Sequence, residues 1–477
     1  MSKRIITNIV LLAGLWGWLL AVEKKPNILI LYADDLGYGD LKILNPKSKI
    51  PTPYLEKLAK EGMIFTDGHS SSGICTPSRY ALLTGRHHWR KFHGIVNSFG
   101  NSFFDPARLT LPEMLKECGY DTAAIGKWHL GWNWDAIKKP GAKPIKQGKK
   151  SGYGPDAFDW SKSIPNGPLD HGFDYYFGDT VINFPPYCWI ENDKVVDIPD
   201  TMMDTSKWKE IKEGGWECRP GPMFSGWDPY ENIPTTTRKA MEYVKKQASN
   251  NKPFFLYFAF PSPHAPIIPN DEFDGKSGAG PYGDFVYETD DACGRILKAL
   301  EQSGQAENTM VIFTADNGPE GYAYKRDETF DHWSAEPFRG LKRDIYEGGH
   351  HIPYIARWPN KIKPGSKSKQ IICTTDLLAT LSGIINKPLP KGAGEDSYNM
   401  LSAYLGSDKG KQIRNYTIHH SLEGFFSIRK GKWKLTTKLG SGGFTKPVND
   451  DPKEKGMAGT LYNLQEDINE QTNLYNK

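Results

Sequence analysis

Four oxygen-bearing side chains stand at the ends of two apolar runs, Asp34-Asp35 after NILILYA and Asp316-Asn317 after TMVIFTA. Hard oxygen donors with no sulfur beside them suit Ca2+ or Mg2+, not zinc or copper. Either pair alone reads equally well as turn formers closing a strand; two pairs at equivalent positions give the metal reading its weight. Cys75 is the third chemical feature, within Ser72-Gly73-Ile74-Cys75-Thr76-Pro77-Ser78-Arg79. Pro77 fits the first turn of a helix, where a missing N–H loses no bond. Cys75 therefore falls at or just before a helix N-terminus, where free amides and the dipole favour anions, and Arg79 adds a fixed positive charge one turn on. The bland reading is a capping or buried thiol. The chemical reading is a nucleophile beside an anion pocket.

Positioning these groups takes a particular kind of scaffold. Residues 27–35, 122–128, 253–260 and 309–316 are short, nearly continuous apolar runs, the pattern of strands buried on both faces, and 63–65 reads as another. Between them lie helical patterns at 53–60, 111–117 and 284–302, the last with Phe285, Thr289, Ala292, Ile296 and Leu300 at steps of three and four. Strands alternating with amphipathic helices predict an α/β fold, a large and mostly parallel sheet covered by helices on both faces. Ligands of such sheets gather beyond the carboxyl ends of the strands, where both acidic pairs fall. Residues 158–233, rich in Pro, Gly and Trp, read as an insertion over the site, and 138–154 as an exposed loop. Short strands at 426–429, 433–437 and 461–464 predict a small C-terminal α+β domain with an antiparallel sheet, spanning 391–477.

Composition narrows the class. With 477 residues, 38% apolar, 24% charged and 12% aromatic, the chain is neither disordered nor fibrous. A net charge of +4 is too small for a dedicated nucleic-acid binder, so no nucleic-acid partner is expected. Six scattered cysteines without a CxxC exclude a zinc cluster or a disulfide scaffold. Cys118 and Cys293 fall on apolar helix faces, and the pairing of Cys188 with Cys218 is left open. Lys3 and Arg4 followed by an apolar run from Ile9 to Ala21 read as a signal peptide over residues 1–22. The expected destination is the periplasm or the exterior, with no stable membrane insertion after cleavage.

The motifs carry a resemblance. C-T-P-S-R at Cys75, continued by LLTGR, matches the C-x-P-x-R signature of type I sulfatases. GKWHLG around Lys127 and His129, PHAP around His264, the DNG at Asp316 and GLKRDIYEGG around Lys342 follow in the family's order, and LYNLQEDINEQTNL resembles its closing strand and turn. The chain is thereby identified as a member of the formylglycine-dependent sulfatases of the alkaline phosphatase superfamily. The resemblance implies a sulfuric ester hydrolase with a catalytic domain at 23–390, in which Cys75 is converted to formylglycine by a formylglycine-generating enzyme. It further implies that Asp34, Asp35, Asp316 and Asn317, with an oxygen of modified residue 75, hold one divalent cation, Ca2+ with Mg2+ as the alternative. Arg79, Lys127 and Lys342 would hold the sulfate, His264 would protonate the leaving oxygen, and His129 would assist sulfate release.

Taken singly, Lys127 and Lys342 read as surface charges and His264 as a turn residue; their places in the motifs give them roles. The doublets His87-His88, His350-His351 and His419-His420 have an exposed look, and His87, His88 and His351 are candidates for facing substrate. Aromatic residues of the insertion (among them Trp160, Tyr176, Phe184, Tyr187, Trp189 and Trp227) suit sugar faces, so the expected substrate is a sulfated carbohydrate. The rivals are a phosphate or phosphonate monoester hydrolase of the same superfamily and a non-catalytic sulfated-glycan-binding relative.

Overall fold

The computed structural model describes residues 24–148, 150–452, 456 and 458–476. The expected signal peptide lies outside the described residues. Among them, no helix is long and apolar enough to cross a membrane.

A ten-stranded sheet organises the molecule. Its order is Ser366–Ser368, Met63–Phe65, Tyr354–Arg357, Thr309–Ala315, Asn27–Ala33, Phe254–Ala259, Asp121–Gly126, Tyr175–Gly178, Ile190–Glu191 and Lys194–Val195. The five central strands run parallel, and antiparallel strands flank them on both sides. The first strand shows why the apolar runs are continuous. Ile28, Ile30 and Tyr32 pack into one core, and Leu29, Leu31 and Ala33 into another on the opposite face. A strand sandwiched in this way has no solvated side, so every residue of it is buried.

The helices Pro53–Glu61, Asn232–Gln247 and Gly280–Gln302 contribute Leu55, Val244 and Ile296 to the second core, and Leu111–Glu117 contributes Met114 to the first. Three boundaries differ from the expectation. Gly280–Gln302 begins earlier because Pro281 sits in its first turn, where proline is tolerated. Asp121–Gly126 stops short of residue 128 because Gly126 turns the chain at φ 100°, with its missing Cβ only 2.0 Å from the carbonyl oxygen of Ala259. That turn releases Lys127 from the sheet. Within the expected loop at 138–154, Ile145–Gln147 and Lys150–Gly152 form a small hairpin.

The 158–233 segment is more than a cover. Tyr175–Gly178, Ile190–Glu191 and Lys194–Val195 extend the main sheet at one edge. Its aromatics are accordingly mostly structural: Trp160, Phe173 and Tyr176 belong to the first core, and Tyr187, Met223 and Trp227 form a small one of their own.

A separate antiparallel sheet, Thr417–His420, Phe426–Lys430, Trp433–Thr436 and Thr460–Asn463, lies near the C-terminus. Buried ion pairs dock it: Lys434 meets Glu347 at 3.0 Å and Glu470 at 2.9 Å, while Arg429 meets Glu347 at 3.2 Å and also pairs with Asp67. Beside these contacts, the amide of Leu422 donates to the carbonyl of Arg343 at 3.0 Å. The C-terminal sheet therefore braces the loop that carries Lys342.

Candidate active site

Cys75 is the first residue of the helix Cys75–Thr84, all ten residues of which are buried. Ile74 precedes it in extended conformation and no side chain caps the first turn, so its amides remain available to an anion. Flanking hydroxyls fix the segment: Ser78 Oγ donates to the carbonyl of Ser72 at 2.9 Å, and Thr76 Oγ1 to that of His129 at 2.9 Å. Burial pushes the Cys75 thiol up, with Lys127 and Lys342 pulling it the other way.

Strand ends deliver the rest. Asp34 and Asp35 follow Asn27–Ala33, Lys127 follows Asp121–Gly126, His264 lies beyond Phe254–Ala259, and Asp316 and Asn317 follow Thr309–Ala315. Three carboxylates meet three cations. Lys127 Nζ contacts Asp34 Oδ2, Lys342 Nζ donates to Asp35 Oδ2 at 2.7 Å, and Arg79 donates from Nε and Nη2 to Asp316 Oδ2 at 3.0 and 2.8 Å. Burial opposes the charge on Asp34, but Lys127, His264, Arg79 and Lys342 outweigh it and hold the carboxyl well below the usual range. Burial and the neighbouring Asp34 push Asp316 up, against the pull of Arg79. Lys342 is held protonated above the ordinary lysine range because Asp35 overcomes its burial.

The donor set fits a hard divalent cation. Asp34 Oδ1 and Asn317 Oδ1 are buried oxygens without any hydrogen-bond partner. Such atoms are expensive to leave unsatisfied. Asp34, Asp35 and His264 bring ligand atoms within 4.8 Å of one another. Oxygen predominates, as Ca2+ or Mg2+ requires.

The two histidines are oriented by backbone carbonyls. His129 Nε2 donates to the carbonyl of Val96 at 3.0 Å, which leaves Nδ1 as the bare nitrogen, and Nδ1 is buried without a partner. Burial, with Lys127 and Arg79, holds this ring neutral. His264 Nδ1 donates to the carbonyl of Ala265 and turns Nε2 toward Asp35 Oδ2 at 3.7 Å. Three non-glycine residues around the site have positive φ: Asp35 at 64°, His129 at 51° and Arg343 at 74°. Strain of this kind collects where side-chain direction matters more than backbone comfort.

The structure thus brings together Asp34, Asp35, Cys75, Arg79, Lys127, His129, His264, Asp316, Asn317 and Lys342. His87, His88 and His351 are placed otherwise. His351 is engaged by Glu347 Oε2 at 3.1 Å and the carbonyl of Thr66 at 3.1 Å, His88 lies 3.4 Å from His420 Nδ1, and His87 stacks on Trp89. The histidine doublets are buried, not exposed: His350 and His419 stack at 3.6 Å in the seam beneath the C-terminal sheet, where His69 joins them, and His88 packs against His420. Among the insertion aromatics, Phe184 does reach the site, its ring 5.4 Å from that of His129. All six cysteines are free thiols, Cys188 and Cys218 included, and Cys118 lies just past the end of its helix, half-buried. Sequence reasoning missed Arg219, stacked on Phe184, and Arg343, bonded through its amide to Gly73; an arginine next to a motif lysine was the only available signal.

Fold, cysteine-headed helix and acid–base set coincide with one family. The sulfatase family profile matches residues 26–387, and the chain belongs to that family, the sulfuric ester hydrolases. An N-acetylgalactosamine-6-O-sulfatase of Bacteroides thetaiotaomicron is 33% identical over 450 residues, covering 86% of this chain and 82% of that protein. Arylsulfatase A of Homo sapiens is 31% identical, covering 87% of this chain and 75% of its own. A solved Bacteroides thetaiotaomicron 6S-sulfatase, described with the metabolism of multiple glycosaminoglycans, superposes with a TM-score of 0.76 at 30% identity, covering 94% of this chain and 95% of that one.

Proposed function

We propose that this sulfatase removes sulfate from sulfated carbohydrates, using formylglycine at residue 75 and a bound divalent cation, Ca2+ by preference. One observation carries the chemistry. A buried helix start at Cys75 lies with three carboxylates, each paired with a cation, and two buried oxygens that accept no hydrogen bond, Asp34 Oδ1 and Asn317 Oδ1. The carbohydrate class rests on the relatives' names, since most insertion aromatics are committed to packing.

Asp34, Asp35, Asp316 and Asn317 would hold the cation, which would draw charge from the sulfate oxygens and favour ionisation of a hydroxyl at residue 75. A hydrated aldehyde supplies what a thiol lacks, two hydroxyls on one carbon, one to take the sulfuryl group and one to drive its release. Arg79, Lys127 and Lys342 hold the sulfate oxygens and stabilise the charge that develops on them. His264, with Lys342, gives a proton to the departing sugar oxygen. His129 takes a proton at Nδ1, the nitrogen left bare by the Val96 contact, as sulfate departs. In this reading residues 23–390 are the catalytic domain, and the C-terminal sheet meets the Lys342 loop through Leu422.

The test is sulfate release from a panel of defined sulfated sugars, with matched phosphate esters and an aryl sulfate alongside. Turnover of one or more sugar sulfates is expected. Rapid aryl sulfate or phosphate ester hydrolysis with no sugar sulfate cleaved would overturn the assignment.

A further inference from the structure

Each innermost cation has its acid, but two outer cations have none. Arg219 donates from Nη1 to Asn97 Oδ1 at 3.0 Å and lays its guanidinium over the ring of Phe184 at 3.5 Å. Phe184 in turn stands edge-on to His129. Arg343 follows Lys342 directly, its guanidinium 4.5 Å from the ring of Phe444 and its Nε buried without a partner. Its amide donates to the carbonyl of Gly73, two residues before Cys75, at 2.6 Å. Neither guanidinium has an ion-pair partner among the described residues.

Both arginines are held in place. The amide of Arg219 donates to Tyr187 Oη at 2.8 Å, and that hydroxyl donates back to the carbonyl of Arg219 at 2.7 Å. Arg343 is fixed at φ 74° between Gly73 and Leu422. Geometry ties each to the same site: Arg219 through Phe184 to His129, and Arg343 through Gly73 to the start of the Cys75 helix. Burial lowers the pKa of Arg219 against the pull of Tyr187, and Arg343 lowers it further. Two unneutralised, half-buried guanidinium groups repel, and an anion received between them relieves that repulsion. Their planar forks match the oxygens of a carboxylate or a sulfate.

We infer that Arg219 and Arg343 form a subsite for a second anionic group of the substrate, outside the pocket that takes the scissile sulfate. This rests on the carbohydrate sulfatase reading above. The group is either the carboxylate of a neighbouring uronic acid or a second sulfate ester on the sugar. The subsite makes the enzyme a reader of polyanionic glycans, with the 158–233 segment supplying one arginine and the Lys342 loop the other.

The experiment compares kcat/KM on three substrates: a singly sulfated N-acetylhexosamine, the same sugar linked to a uronic acid, and the same sugar bearing a second sulfate. The wild-type enzyme is expected to prefer one of the doubly anionic substrates, which identifies the source of the anion. Arg219→Gln and Arg343→Gln should each lower that preference ratio by about tenfold, mainly through KM, and Arg219→Lys should restore part of it. A wild-type enzyme without preference for a second anion would overturn the inference, independently of how the variants fold. So would variants whose ratio is unchanged. Absence of sulfate release from all three substrates by the wild type would instead overturn the carbohydrate-sulfatase reading beneath it.

Discussion

Arg79 places two N–H groups on a single oxygen of Asp316, Nε at 3.0 Å and Nη2 at 2.8 Å, with both side chains fully buried. The other oxygen of Asp316 accepts the amide of Asp35 at 3.2 Å, so the pair locks the helix of Cys75 to two strand ends. Removing one partner strands a buried charge. Arg79→Met should lower unfolding stability by about 3–5 kcal/mol and abolish sulfate release. Arg79→Met combined with Asp316→Asn should recover much of the stability but none of the turnover. Urea unfolding read beside sulfate release checks both; recovery of activity in the double variant would contradict the roles given to the pair.

Cys75→Ala removes one sulfur atom at a position already walled by its helix. Stability should change little and turnover should vanish, while binding of a sulfated sugar persists through Arg79, Lys127 and Lys342. Calorimetric titration with a non-turned-over wild-type comparison, such as a product analogue, measures the binding. Undiminished sulfate release by this variant would remove residue 75 from the chemistry.

The oxygens of Asp34 and Asn317 that accept no hydrogen bond make a prediction about metal. Stripping divalent ions should lower the melting temperature, and adding Ca2+ back should raise it by mass action, the added stability being about 2.7 kcal/mol at one hundred times the dissociation constant. Asn317→Ala should weaken this response. Mg2+ tested in parallel distinguishes the ions, and a melting temperature indifferent to both would count against a cation at these residues.

Acid should destabilise the protein through its buried histidines. Burial, with neighbouring His351, lowers His69 to about 4 despite the pull of Asp67; burial, with Lys434 and nearby histidines, keeps His350 well below the usual value, and burial with His350 and His69 does the same for His419. The unfolded chain takes up protons near 6.5 that the folded cluster refuses, so stability is intact above about 6.5 and falls as pH drops toward 4. Each such histidine contributes up to about 1.4 kcal/mol per pH unit. Neither ring nitrogen of His419 has a hydrogen-bond partner, so His419→Phe should make the acid limb shallower in denaturant titrations between pH 7 and 5. An unaltered slope would show that the cluster takes its protons in the folded state.

The parallel core was legible because strands buried on both faces leave a continuous apolar signature, and the acids at 34, 35 and 316 interrupt it where the strands end. Cys75 was legible through Pro77, whose place in a first helical turn has a physical reason, and through Arg79 one turn on. What escaped was decided by tertiary contact. Tyr175–Gly178 reads like loop aromatics until it pairs with Asp121–Gly126. His419 looks like a surface residue until His350 stacks on it. Arg219 lies far from every motif in sequence and reaches the site through Phe184.

The most direct measurement is a peptide mass map across residue 75 of natively produced, catalytically active protein, with an aldehyde-selective and a thiol-selective probe applied to the same material. An aldehyde at residue 75, in proportion to specific activity, is the expected result. Fully active protein whose residue 75 still reacts as a free thiol would contradict it.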